Sequence, residues 1–178
     1  MLKCFAIFAL AATIQVCFAD TAAGISWTPP ASWKSSASRP MRAATYAVPA
    51  ASGDKEDGEC AVYYFGPGQG GSVEANIERW TKQFEQPNGK SSSQTAQVKK
   101  RTVHGIALST VDISGAYSGM GGPMAAAKSV KTGYRLLGAI AEAPEGAVFF
   151  KFTGPARTVA ANQANFEALI GSLKPGSK

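Results

Sequence analysis

The sequence predicts an α+β domain, a mostly antiparallel sheet of about six to seven strands with helices packed on its faces. Three observations carry that expectation. Short apolar runs rich in β-formers recur in pairs around turn residues, two segments show helical periodicity, and no strand–helix–strand alternation that would generate a parallel sheet is present.

In chain order, Met1-Leu2-Lys3 precedes an apolar run from Cys4 to Val16 interrupted by Thr13 and Gln15, then Cys17-Phe18-Ala19 and Asp20. Charged, apolar and small-residue regions in that order predict a secretory signal over residues 1–19, cut near Ala19. The run is shorter than the roughly 20 apolar residues of a membrane-spanning helix. The expected product is a single exported domain over residues 20–178, periplasmic or extracellular. Its formal charge falls from +6 to +5 once Lys3 is lost. Loss of Cys4 and Cys17 leaves Cys60 as its lone thiol, so packing rather than an internal disulfide must stabilise it.

Between Trp27 and Trp33, Pro29-Pro30 excludes a central strand, placing Ile25 to Lys34 along an edge or across one end of the sheet with both indoles capping the core. A strand of uncertain register is expected from Arg39 to Val48. The acidic cluster at 54–59 reads as a solvated turn, and Cys60 to Phe65 as a buried strand. Ser72 caps a helix whose stripe of Val73, Ile77, Trp80 and Phe84 is expected to run close to Pro87. Two strands, Thr95 to Thr102 and Ile106 to Tyr117, are expected to form a hairpin around His104-Gly105. A glycine-rich loop is expected over 118–132, then a second hairpin, Tyr134 to Ala143 and Ala147 to Thr153. Pro155 opens a closing helix that carries Val159, Phe166, Leu169, Ile170 and Leu173 on one side.

Taken together, the Trp27 to Trp33 opening, Gly133-Tyr134-Arg135-Leu136-Leu137, Phe149-Phe150-Lys151-Phe152 and the Phe166 to Leu173 helix resemble a PsbP-like domain over residues 25 to 174. The resemblance lies in element order and scattered aromatics. It implies a sheet flanked by helices and a binding or assembly role.

No motif carries a recognisable catalytic, metal or cofactor site. Gly66-Pro67-Gly68-Gln69-Gly70-Gly71 satisfies a dinucleotide-type spacing between a strand and a helix, but Pro67 lacks an N–H and no acidic residue lies between Glu85 and Asp112 to hold a ribose. Gly70, Gly71 and Ser72 remain candidate anion or ligand contacts, because backbone N–H groups at a helix start have no partner within the helix. Cys60 is the candidate reactive thiol, against its reading as a core residue. His104, the one histidine, falls in a turn and would be the base of any Cys60 pair. Asp112, Glu142 and the 54–59 carboxylates show no spacing that favours glycoside cleavage. An inward Asp112 would need Arg135 or Lys151 as partner.

Cations other than Lys99-Lys100-Arg101 are dispersed, which argues against nucleic acid and leaves weak attraction to anionic surfaces. The aromatics Trp27, Trp33, Trp80, Phe84, Tyr117, Tyr134, Phe149, Phe150 and Phe152 would fill a core, any excess lining a groove. The expected function is a non-catalytic partner- or ligand-binding module of the cell envelope, bordered by the glycine loops at 66–71 and 118–123. The alternatives are a small hydrolase or thiol enzyme using Cys60 or His104, and a structural accessory subunit.

Overall fold

A computed structural model describes residues 19–37, 39–87, 89–119 and 130–176. The expected leader up to residue 18, and residues 120–129 of the expected glycine-rich loop, lie outside them.

Strands β1 (Asp20–Ala22), β2 (Ile25–Trp27), β3 (Lys34–Ser35), β4 (Arg42–Val48) and β5 (Gly58–Tyr64) precede helix α1 (Val73–Thr81). Strand β6 (Phe84–Glu85), the short helix α2 (Ser92–Thr95), β7 (Gln97–Val103), β8 (Ile106–Tyr117), β9 (Lys131–Ala143) and β10 (Gly146–Pro155) follow. Helices α3 (Ala156–Ala161) and α4 (Gln163–Gly171) and strand β11 (Lys174–Pro175) close the chain. The main sheet has eight strands in the order β3-β4-β5-β10-β9-β8-β6, with β7 also paired to β8. A separate three-stranded sheet, β1-β2-β11, joins the two ends of the described chain. Sheet therefore dominates the α+β architecture, with more strands than the sequence predicted.

Both expected hairpins form. His104 and Gly105 take φ of 46° and 83° between β7 and β8, the two positive values that a two-residue turn needs to match the twist of its strands. Gly146 pairs with Ala143 directly across the other turn. Two expectations are corrected. The helix from Ser72 stops at Thr81, because Phe84 pairs with Tyr117 as β6 and the Gln83 carbonyl accepts from the Ser118 amide (2.9 Å). The closing helix is two helices broken at Asn162.

Side chains alternate across β10, and both faces of the sheet are covered there. Val148, Phe150 and Phe152 join Cys60, Val62, Leu108 and Leu137 on a first face, packed with Trp27, Trp33, Val159, Phe166, Leu169 and Ile170. Phe149 points to the second face with Val111, Ile113, Leu136, Ile140, Trp80 and Phe84. This explains why residues 148–152 read as an almost unbroken apolar run. Helix α1 docks closely on the second face because Gly138 lies under its indole. A Cβ there would meet Trp80 at 2.5 Å and Val111 at 2.8 Å.

Candidate functional site

One residue of β10 breaks the apolar rule. Lys151 shares the second face with Phe149 and is only 5% exposed. Its Nζ donates to Gln83 Oε1 at 2.7 Å and to the Tyr117 hydroxyl at 3.3 Å, and sits 5.5 Å from the centre of the Tyr117 ring. Among the described residues no carboxylate lies within ion-pair distance of it. Burial opposes the charged form and lowers its pKa to about 8, as expected for an ammonium removed from water without a counter-charge.

Lys151 lies in a cleft of about 50 Å³ that it forms with Phe149, bounded by Tyr63 of β5, by Phe65 just after that strand and by Asn76, Arg79 and Trp80 of α1. Such a volume admits a group of one or two water equivalents rather than a whole drug-sized ligand. Aromatic rings surround it. Tyr63 and Phe65 stack at 6.0 Å, and Tyr117 stacks on Tyr134 at 5.7 Å. The Tyr134 hydroxyl donates to Glu56 (2.5 Å), which also pairs with Lys131. Burial raises the phenol pKa of Tyr63, Tyr117 and Tyr134, keeping these hydroxyls protonated.

The glycine loop reaches this cleft through one side chain. Gly70 and Gly71 take φ of 94° and 79°, and a Cβ on Gly70 would lie 2.9 Å from the Phe149 ring, so conformation and space both call for glycine. The Ser72 hydroxyl caps α1 by accepting from the Ala75 amide (3.1 Å). The Gly70 and Ser72 carbonyls accept from Asn76 Nδ2 at 2.7 and 2.8 Å. Asn76 Oδ1 then accepts from Arg79 Nη1 (3.1 Å). Gly70, Gly71 and Ser72 therefore shape the loop that orients Asn76, which holds Arg79 at the cleft.

Cys60 and His104 do not meet. Cys60 has no exposed surface and lies on the first face, opposite Tyr46 and Phe152. Burial pushes its thiol well above the ordinary range, which disfavours the thiolate that a nucleophile needs. His104 sits beyond the far end of β8, where its Nδ1 contacts the Leu173 carbonyl (2.8 Å). Cys60 is level with Phe152, Leu137 and Asp112, so roughly 20 Å of strand separates the two residues, apart from the sideways step between strands.

Asp112 does have its partner. Its carboxylate accepts from Arg135 Nε (2.8 Å) and Nη2 (2.7 Å), while Lys151 faces the other side of the sheet. The basic run lies on edge strand β7, with Lys100 3.9 Å from Glu74 and Arg101 2.7 Å from Glu167. Exposed pairs of this kind are worth little. Among the described residues no three His, Cys, Asp or Glu side chains are grouped to hold a metal ion, and no helix is long and apolar enough to cross a membrane.

Sequence reasoning named the glycine loop but missed Lys151, Gln83, Asn76 and Arg79 as a group. A signal for the first was present: a lysine inside Phe149-Phe150-Lys151-Phe152, where both strand faces are apolar.

Neither a family model nor a curated protein matches the sequence. Among the solved structures that resemble it are two matched over nearly their whole length. One is the solution structure of cyanobacterial PsbP from Synechocystis, with a TM-score of 0.50 and 11% identity over 94% of this chain and 98% of that one. The other is a protein of unknown function from Pseudomonas aeruginosa, with a TM-score of 0.49 and 12% identity over 91% of this chain and 99% of that one. The architecture of this chain is PsbP-like, a likeness of fold.

Proposed function

We propose that this chain is an exported, non-catalytic binding module of the cell envelope that engages a small ligand or a group on a partner protein through the cleft between α1 and strands β5 and β10. The observation that supports the reading is the meeting of half-buried Tyr63 and Phe65 with a buried, carboxylate-free Lys151 at one opening. Aromatic walls with a few convergent polar groups are the usual composition of a recognition site. The glycine loop contributes by fixing Asn76 and Arg79. A thiol or hydrolase mechanism lacks support in the geometry, since Cys60 is sealed in the core and the imidazole lies beyond the end of the sheet.

The test is native mass spectrometry of the secreted protein, followed by mapping of amide shifts with any retained compound. A chain beginning at Asp20 that carries a ligand perturbing Tyr63, Phe65 and Arg79 supports the reading. A ligand that leaves those amides unmoved, or an unprocessed chain that remains in the cytoplasm, rejects it.

A further inference from the structure

We propose that the occupant of this cleft is the carboxylate of a small aromatic or apolar acid, held by Lys151 and Arg79 with its apolar body against Tyr63 and Phe65. The inference rests on the binding reading above and adds the chemistry of the ligand.

Charge around the cleft is one-sided. From β4, Arg42 faces Lys151; from β5, Glu59; from α1, Arg79; β8 supplies the Tyr117 hydroxyl and the chain after α1 supplies Gln83. Strand β9 presents Leu136, Gly138 and Ile140 on this face. Glu59 is the sole carboxylate among these groups, and it is engaged with Arg42 at 2.9 Å and Arg39 at 3.4 Å. The ammonium of Lys151 therefore has neutral acceptors only, two for its three N–H groups. Arg79 uses Nη1 on Asn76, which leaves Nε and Nη2 for a ligand. A positive cleft with low-dielectric walls concentrates anions, and its small volume suits a flat carboxylate whose body remains outside on the rings.

Protonation sets a direction for the pH response. The Lys151 amine titrates near pH 8 in the free protein, and a carboxylate binds the charged form. Affinity should be constant below that pH and fall by up to about tenfold per unit above it. The neighbouring tyrosines, whose phenols burial pushes upward, keep their protons in that window.

The experiment titrates the full mature chain with benzoate, its neutral analogue benzamide, and inorganic phosphate, reading amide shifts and binding heat at about pH 7 and pH 9.5. Saturable benzoate shifts at Tyr63, Arg79 and Lys151 are expected, at least about tenfold tighter than benzamide and weaker at the higher pH. Lys151→Met should abolish them. Arg79→Gln, at an exposed position that leaves folding intact, should weaken them about tenfold and guards against misfolding of the first variant. Equal binding of benzoate and benzamide, benzoate binding that survives both substitutions, or phosphate binding with benzoate silent would overturn the carboxylate. A retained cellular ligand that maps to the cleft while benzoate does not removes this inference and leaves the binding reading standing; if neither reaches the cleft, both fall.

Discussion

Lys151 and Gln83, 68 residues apart, meet at 2.7 Å on the second face of the sheet. Their bond ties the chain leaving α1 to the centre of β10. Gln83 follows the end of α1 at Thr81 by two residues. Its main-chain oxygen receives Ser118, so one residue anchors a helix end, a strand end and a buried cation.

Stability should carry the mark of that cation in its pH dependence. In the unfolded chain the Lys151 amine returns to 10.5, against about 8 when folded. Between those values the unfolded state binds more protons, so stability rises with pH. Cys60 acts with the opposite sign above its ordinary 9.0, because the folded thiol keeps a proton that the unfolded one loses. The rise should be confined to about pH 8–9 and amount to about 1 kcal/mol in urea unfolding. Lys151→Met should flatten it; a variant retaining the full rise would assign it to another group.

Alkylation should find Cys60 only through unfolding. With the thiol wholly buried, iodoacetamide should modify the native protein at least about a hundredfold more slowly than the urea-unfolded chain. Mass spectrometry over a time course gives both rates, and rapid labelling of the native protein would place the thiol at the surface.

Two glycines should respond oppositely to a methyl group. Gly138→Ala forces a Cβ into the Trp80 ring and Val111 and should cost about 1–3 kcal/mol while lifting α1 from the sheet. Gly171→Ala, at the end of α4 with nothing within 4 Å, should gain about 0.5–1 kcal/mol. Thermal melts measure both, and near-UV dichroism of the indole reports the displacement of α1.

The turn at His104 offers a test of backbone conformation apart from side-chain chemistry. At φ 46°, asparagine is tolerated whereas a β-branched residue is strained. His104→Asn should cost under about 1 kcal/mol, and His104→Val about 1–2 kcal/mol more. Equal melting points for the two variants would mean that the turn relaxes to negative φ.

Local pattern made much of the fold legible. Alternation and turn residues located both hairpins, and paired prolines kept the Trp27 to Trp33 segment out of a central strand, with both indoles buried against the core. The failures were tertiary. Nothing local marks Phe84 as a strand residue, since its pairing partner Tyr117 is 33 positions away. Asn162 interrupts a pattern that sequence alone reads as continuous helix, and the two-residue strand β11 exists because β2 offers it an edge. At the candidate site the glycines were visible, but their effect passes through Asn76, a buried polar residue on a helix whose apolar stripe drew attention elsewhere. Lys151 was legible as an anomaly, while the absence of a counter-charge is a property of five separate elements.

The small sheet that joins β1, β2 and β11 has a consequence for the order of assembly. Strand β2 cannot gain its second neighbour until Lys174 and Pro175 are available, and the helix carrying Leu169 and Ile170 completes the wall around Trp27 immediately before them. A chain growing from its N-terminus therefore holds Trp27 without a finished enclosure until Lys174 and Pro175 have been made. Closure of that wall follows the synthesis of every strand of the main sheet, so the large sheet can pair before its indole cap is sealed.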